Sequence, residues 1–112
     1  MLLWRCWINQ MNAETVLQNK IRLALSEYGI VIRLNTGVFF TATGAVIKQG
    51  IPGLPDLLFV GLNGRTVWME VKTDSGRISA AQSRFISRLW GMGHTASVVR
   101  SVEDALKLVG VK

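Results

Sequence analysis

Apolar and polar residues follow two patterns along the chain, one with the period of a helix and one with the period of a strand. The helical pattern predicts helices over residues 12–28, 79–90 and 101–109. Short apolar runs bounded by turn residues predict strands over residues 30–34, 38–43, 45–48, 55–60, 67–72 and 95–100. This order of elements predicts an α/β (α+β) fold in which helices flank a mixed β-sheet.

The strand predicted to end at Lys72 has two chemically different faces. Successive side chains of a strand point to opposite sides of the sheet, so Glu70 and Lys72 share one side. Val67, Met69 and Val71 share the other. We expect the apolar side to face the core and the charged side to hold the functional residues.

The turn before this strand decides whether a second carboxylate joins Glu70. Asn63-Gly64 is a strong hairpin signal, so the two strands are predicted to pair antiparallel. If residues 62–64 form a three-residue loop, Asp56 lies opposite Glu70 with Cβ atoms about 5 Å apart. A strict two-residue turn shifts the register by one and puts the carboxylates on opposite faces. The hypothesis of paired carboxylates therefore requires the longer loop or a bulge.

The predicted pair of carboxylates needs a cation. Two ionised carboxylates at that distance repel each other and are tolerated when a positive charge neutralises them. Lys72 alone would neutralise this negative charge only weakly, whereas Mg²⁺ or Mn²⁺ would neutralise it better. The pattern therefore predicts a divalent-cation site at Asp56 and Glu70, while the alternative for Lys72 is an ordinary solvated lysine.

Two further polar residues lie on otherwise apolar helix faces. Glu14 falls between Ile21 and Leu25 on the helical wheel and is predicted to face inward; a favourable charge at the helix N-terminus is the alternative explanation. Gln82 shares a face with Phe85, from which its amide either reaches a site beside the sheet or bonds to the backbone at the helix end. Other polar residues of the first helix are predicted to be solvated: Gln18, Lys20 and Arg22.

The charge of the chain indicates an anionic partner. Its 112 residues are enough for one domain, and they contain 13 Lys and Arg against 7 Asp and Glu, a net charge of +6 with a pI near 10.3. A nucleic acid or a membrane surface would supply the negative charge that balances this excess of positive charge. The candidate DNA-phosphate contacts are Lys48, Arg77, Arg84 and Arg88, with a solvated face as the alternative for the three arginines.

The composition excludes several classes of site. A single Cys6 and a single His94 supply neither an internal disulfide nor a structural zinc site, and they favour a reducing cytoplasm. No apolar run approaches the ~20 residues that a membrane span requires. Residues 1–11 lack the features of a signal peptide and are interpreted as a loose arm, a dimer contact or the result of an upstream translation start. Residues 12–112 are predicted to form a single domain.

The candidate residues fall into a recurring sequence motif. Its two parts are Pro55-Asp56 and Glu70-Val71-Lys72, a pattern that resembles the PD-(D/E)xK nuclease motif. Further motif positions are Glu14, residues 35–37, residues 50–57, Gln82 and Phe85. Together they resemble the VRR-NUC domain family over residues 12–109, in the compact stand-alone form of phages and bacteria.

This resemblance implies a restriction-endonuclease-like core and a hydrolase, specifically a metal-dependent, structure-specific endodeoxyribonuclease. Asp56, Glu70 and the backbone carbonyl of Val71 would bind Mg²⁺ or Mn²⁺. Glu14 would assist through a water molecule, and Lys72 would be the catalytic lysine. The implied catalytic residues are Glu14, Asp56, Glu70, Lys72 and Gln82. Similar stand-alone members are homodimers that act on branched DNA, notably four-way (Holliday) junctions, which implies DNA repair in a bacterial or phage-infected cell.

Two other functions fit parts of the pattern. A non-catalytic nucleic-acid-binding module would use the same basic surface, with its carboxylates paired to Lys72. A flap- or duplex-cutting restriction-type nuclease would use the same catalytic residues, but a domain of this size leaves little room for a base-reading element. Cutting two strands of a symmetric junction favours a two-fold dimer, and the candidate dimer contacts are Trp4, Trp7 and residues 38–40.

Overall fold

The structure is a computed structural model that describes residues 12–34 and 37–111, apart from the side chains of residues 37–40 and 47–49. Its helices are α1 (Ala13–Leu25), α2 (Ala80–Gly91) and α3 (Val102–Leu108). Its strands are β1 (Ile30–Arg33), β2 (Gly37–Phe40), β3 (Val46–Gln49), β4 (Leu57–Val60), β5 (Thr66–Val71) and β6 (Thr95–Val99). The predicted arm at residues 1–11 and the motif positions Asn35 and Thr36 lie outside the described residues.

Four strands form one mixed sheet in the order β1, β4, β5, β6. β1 pairs antiparallel with β4, and β4 with β5, whereas β5 pairs parallel with β6. A parallel pair requires a crossover connection, which α2 supplies. β2 and β3 form a separate antiparallel ribbon. The predicted order of elements and the mixed sheet flanked by helices are confirmed. None of the helices in the described part of the chain is long and apolar enough to span a bilayer.

The hydrophobic core lies on one face of the sheet, against α1 and α3. Val67, Met69 and Val71 of β5 are completely buried there. They belong to a cluster with apolar residues of both helices and the neighbouring strands, among them Ile21, Leu25, Leu57, Phe59, Ala105 and Val109. The prediction that β5 turns its apolar side chains to the core is confirmed.

The opposite face of the sheet carries α2. Trp68 projects from β5 on that side and packs against Phe85 of the helix, with ring centroids 6.4 Å apart. The helix begins at Ser79, whose hydroxyl accepts a hydrogen bond of 3.1 Å from the backbone N–H of Gln82. Because side chains alternate along a strand, Glu70 lies on the same side as Trp68, facing this helix.

A three-residue loop joins β4 to β5. The backbone N–H of Gly61 donates to the carbonyl of Arg65 across the loop, at 2.8 Å. Residues 62–65 form one tight turn, in which the backbone N–H of Arg65 donates to the carbonyl of Leu62 at 3.2 Å. Within it Asn63 has a φ of 60° and Gly64 a φ of 73°. Gly and, less readily, Asn adopt this left-handed conformation, which explains their place in the loop. The longer of the two loops considered from the sequence is the correct one.

Candidate active site

The β4–β5 hairpin places Asp56 beside Glu70. Its register pairs Leu57 with Met69. Extended by one residue, the same register sets Asp56 opposite Glu70, as the three-residue loop predicted. Oδ2 of Asp56 accepts a hydrogen bond of 2.8 Å from the backbone N–H of Val71. This bond ties the loop before β4 to the end of β5, so the position of the Asp56 carboxylate is fixed by backbone geometry.

The loop before Asp56 packs against the start of α2. Gly53 has a φ of +79°, in the left-handed region that glycine adopts without strain. A Cβ atom at this position would collide with the backbone carbonyl of Ala81. The glycine therefore lets the loop lie against the helical turn that carries Gln82, and both segments meet at the same end of β5.

Glu14 adds a third carboxylate from the first turn of α1. One carboxylate oxygen from each of Glu14, Asp56 and Glu70 lies within 4.8 Å of the other two. Oδ1 of Asn12 accepts a hydrogen bond of 2.7 Å from the backbone N–H of Thr15, which fixes the start of the helix. The inward position predicted for Glu14 is confirmed, and the helix N-terminus also favours its negative charge.

Glu70 is the buried centre of this cluster. The residue is only 1% exposed. Its Oε1 accepts a hydrogen bond of 2.9 Å from Nε2 of Gln82 and lies 3.7 Å from Nζ of Lys72. Its Oε2 is buried and has no hydrogen-bond partner among the described residues. Because a buried polar atom without a partner is costly, this oxygen has an unmet need for a proton or a cation.

The pKa of Glu70 also indicates that its carboxyl group needs a proton or a cation. Burial raises the pKa of Glu70 to about 8, and the negative charge of Asp56 is the second cause. The ammonium group of Lys72 acts in the opposite direction but does not compensate. Without a bound cation, the site therefore holds a proton at neutral pH. A divalent cation among the three carboxylates would neutralise the same charge, so the residues present fit such an ion.

Gln82 performs both of the tasks that the sequence left as alternatives. Its Oε1 accepts a hydrogen bond of 2.9 Å from the backbone N–H of Ser79, completing a capping box at the start of α2. Its Nε2 at the same time donates to Glu70. Since one side chain makes both contacts, the helix start and the orientation of the Glu70 carboxylate are mechanically linked.

The three arginines among the predicted DNA contacts lie on α2 and in the loop before it. Arg77 precedes α2, and Arg84 and Arg88 lie one turn apart on the helix; all three are exposed. Within the described ranges none of them forms an ion pair with a carboxylate, so their guanidinium groups face solvent. Lys48 belongs to β3, but its side chain lies outside the described residues.

The prediction that Gln18 is solvated is wrong. Gln18 is 7% exposed, whereas Lys20 on the same helix is exposed as predicted. Gln18 follows Glu14 by four residues, which places it about 40° away on the helical wheel and still within the apolar stripe. The same wheel that placed Glu14 inward should have placed Gln18 inward as well.

Arg100 is a second residue that the sequence did not single out. It follows β6, and its Nη1 donates to the carbonyl oxygens of Thr73 and Gly76, at 2.6 Å and 2.7 Å. Both carbonyls belong to the loop that comes directly after Lys72. The contact depends on the parallel pairing of β5 with β6, which the periodicity of the chain does not reveal.

These features define an α+β domain with three carboxylates and a lysine gathered at one end of a mixed sheet. The chain is similar to a solved structure described as a VRR_NUC domain, with a TM-score of 0.66 and 24% sequence identity. The match covers 88% of this chain and 96% of that chain. No family model matches the sequence, and no curated protein matches it. The chain has the fold of a VRR_NUC domain, which confirms the fold that its motifs implied.

Proposed function

We propose that this protein is a metal-dependent endonuclease that hydrolyses phosphodiester bonds in branched DNA, with four-way junctions as its substrate. One observation carries the metal dependence: the carboxylate of Glu70 is buried with Oε2 unpartnered, in a cluster with Glu14 and Asp56. Structural packing does not require this arrangement, because a buried carboxylate destabilises a domain unless something neutralises it. A divalent cation bound among the three carboxylates would neutralise this charge and so account for the cluster. The junction substrate rests on the resemblance of the sequence motifs to the VRR-NUC family.

The residues that would hold the cation are those of the cluster. Asp56, Glu70 and the backbone carbonyl of Val71 would bind Mg²⁺ or Mn²⁺ directly, with Glu14 acting through water. Hard cations of this kind prefer such oxygen ligands. When bound, the cation supplies an activated water and neutralises charge that develops on the phosphate.

Lys72 and Gln82 have distinct tasks in this proposal. The side chain of Lys72 is 13% exposed, so it is mostly buried beside Glu70 and is still reachable from the surface. From there it would donate to a phosphate oxygen or hold the attacking water. Gln82 occupies Oε1 of Glu70 and thereby leaves Oε2 for the ligand. Lys72 thus contacts the substrate, whereas Gln82 orients a ligand of the metal.

The basic surface would bind the DNA. The chain carries a net charge of +6, and Arg77, Arg84 and Arg88 are exposed near the helix that covers the site. Together with Lys48 they would contact phosphates, which gives affinity that depends on shape and salt rather than on base sequence. Symmetric cutting of a four-way junction needs two active sites, which a two-fold homodimer would supply.

The test is cleavage of three labelled DNA substrates: a four-way junction, a flap and a linear duplex of matched sequence. Each is incubated with Mg²⁺, Mn²⁺ or EDTA, and with wild-type protein, Lys72→Ala or Lys107→Ala. Lys107 is an exposed lysine of α3 away from the cluster, so it controls for loss of one positive charge. We expect symmetric, metal-dependent junction cuts that Lys72→Ala loses and Lys107→Ala keeps.

The other outcomes separate the alternatives. Metal-dependent cutting of flaps or duplex in place of junctions would retain the nuclease and reject the junction as substrate. Junction binding without cleavage in either metal would favour the non-catalytic binding module. Cleavage retained by Lys72→Ala would reject the catalytic role of Lys72.

A further inference from the structure

The loop of residues 73–79 connects two residues of the proposed site. It leaves β5 after Lys72 and ends at the cap of α2, one turn before the amide of Gln82 that contacts Glu70. The loop is short and polar and belongs to no strand or helix. Its conformation therefore sets how Lys72 and Gln82 approach Glu70 from two directions.

Arg100 holds this loop from the neighbouring strand. One guanidinium nitrogen, Nη1, donates to the carbonyls of both Thr73 and Gly76. The N–H of Gly76 also donates to the carbonyl of Thr73, at 3.0 Å, so the three groups close a compact turn. A charged donor makes stronger hydrogen bonds than a neutral one, and these two are short.

The turn in contact with Arg100 packs against the stem of Lys72. A Cβ atom at Gly76 would lie 3.4 Å from Cδ of Lys72, so the backbone of the loop borders that side chain. The N–H of Lys72 donates to the carbonyl of Val99, at 3.1 Å, which sets Lys72 beside the start of the Arg100 segment. Loss of the turn would remove one wall of the space in which the Lys72 side chain lies.

Arg100 is itself fixed at its backbone. Its N–H donates to Oδ2 of Asp104, at 3.0 Å, in the first turn of α3. The hydroxyl of Ser101 accepts a hydrogen bond of 3.0 Å from the N–H of Asp104 and caps the same helix. The guanidinium group thus extends from a rigid junction between β6 and α3 to an irregular loop.

We propose that Arg100 is a positioning residue for the hydrolytic reaction: it holds the 73–76 turn and through it the ammonium group of Lys72. This inference rests on the proposed nuclease function. Arg100 contacts neither the carboxylate cluster nor, in this proposal, the scissile phosphate. Its removal should therefore lower kcat and leave the affinities for DNA and for metal unchanged.

The experiment compares Arg100→Met with Arg65→Met and Arg100→Lys. Arg65 is a matched control, because its Nη2 also donates to a backbone carbonyl, that of Leu108 at 3.0 Å, but at the loop between β4 and β5. For each protein we would measure kcat on the cleaved substrate, DNA affinity in EDTA, the metal concentration for half-maximal rate, and amide hydrogen exchange. We expect kcat of Arg100→Met to fall about 10- to 100-fold, the usual cost of losing a residue that orients a catalytic group.

Further expectations make the result specific. Exchange should rise at residues 73–79 in Arg100→Met and remain at the wild-type level there in Arg65→Met. Arg100→Lys keeps the charge and one donor nitrogen, so it should recover part of kcat. DNA affinity and half-saturating metal should stay within twofold of wild type in all three variants.

Several outcomes would overturn the inference. A kcat for Arg100→Met equal to that of Arg65→Met would reject it, and so would weaker DNA binding with unchanged kcat, since Arg100 would then contact DNA. If Arg100→Met does not fold, Arg100→Lys is compared with Arg65→Met instead. In that case the inference is rejected if Arg100→Lys has the kcat of wild type and the amide exchange of residues 73–79 is also that of wild type. If wild-type protein cuts no substrate, the proposed function fails, while the exchange of residues 73–79 still shows whether Arg100 holds the loop.

Discussion

The two faces of β5 bury side chains to the same depth with opposite energetic consequences. On one face Val67, Met69 and Val71 are completely buried in the apolar core. On the other, Glu70 is 1% exposed, and its carboxyl group needs a proton or a cation to be neutralised at that depth. Burial of apolar surface stabilises the fold, whereas burial of a charge without full compensation destabilises it. The first face explains why the domain folds, and the second holds the carboxylates of the proposed metal site.

The two faces also differ in how their contacts are made. The core face depends on close packing, which is nondirectional and shared among many side chains. The site face depends on a few directional contacts, among them the hydrogen bond from Gln82 and the position of Lys72 near Glu70. Substitutions on the core face should therefore act on stability, and substitutions on the site face should act on activity.

Glu70→Gln should produce the largest effect and the clearest separation of the faces. The amide keeps the size of the side chain but removes the charge that would bind the cation. We expect cleavage to fall by at least ~10³-fold, which corresponds to about 4 kcal/mol in the barrier. The free energy of unfolding of the metal-free protein should stay the same or increase near pH 8. Single-turnover cleavage measures the loss of activity and urea unfolding in EDTA measures the stability, and a Glu70→Gln enzyme that still cuts would refute the metal site.

Met69→Ala tests the opposite face at the adjacent position. Met69 is completely buried, so its truncation should lower the free energy of unfolding by about 2–5 kcal/mol. Because the backbone register is unchanged, kcat of the folded fraction should remain within a few-fold of wild type. Urea unfolding gives the first quantity and cleavage at low temperature the second. A folded Met69→Ala protein that is as inactive as Glu70→Gln would show that the two faces are not independent.

The proton on Glu70 provides a test based on pH. In the metal-free protein its pKa lies at about 8 rather than 4.5, so between these values the folded state binds more protons than the unfolded state. The free energy of unfolding should therefore decrease as the pH rises from about 4.5 to about 8, on the order of a few kcal/mol. Urea unfolding in EDTA across this range measures the slope. Glu70→Gln should flatten it, and an equally steep slope in that variant would assign the effect to other groups.

The sequence predicted those parts of the site in which residues that are close along the chain are also close in space. The alternation of β5 and the turn at Asn63-Gly64 follow from side-chain period and backbone conformation, whereas the hairpin register stayed open between a three-residue loop and a two-residue turn. The three-residue loop seen in the structure is what brings Asp56 and Glu70 together. The catalytic roles of these residues, by contrast, stay predictions, because geometry alone does not report turnover.

Contacts between segments that are far apart along the chain could not be predicted from such local patterns. The contact of Arg100 with the loop after Lys72 exists because β6 pairs parallel with β5, and no local pattern encodes that register. The burial of Gln18 has a local signal, because its spacing of four residues from Glu14 places it near Glu14 on the helical wheel and not on a solvated face. Within an apolar stripe, spacing predicts burial better than polarity does.

Substitution of Asn63 should have the smallest effect, because it changes only the turn between β4 and β5. The length of that turn sets the register that puts Asp56 opposite Glu70. Its φ of 60° is accessible to Asn and Gly but strains Ala. We expect Asn63→Ala to lower the free energy of unfolding by about 1 kcal/mol and Asn63→Gly to change it by less than ~0.5 kcal/mol. Neither variant should alter cleavage, because the loop keeps its length and Asp56 stays opposite Glu70. Urea unfolding and junction cleavage measure both quantities, and a loss of cleavage in Asn63→Ala with stability intact would mean that the turn controls the site by more than its length.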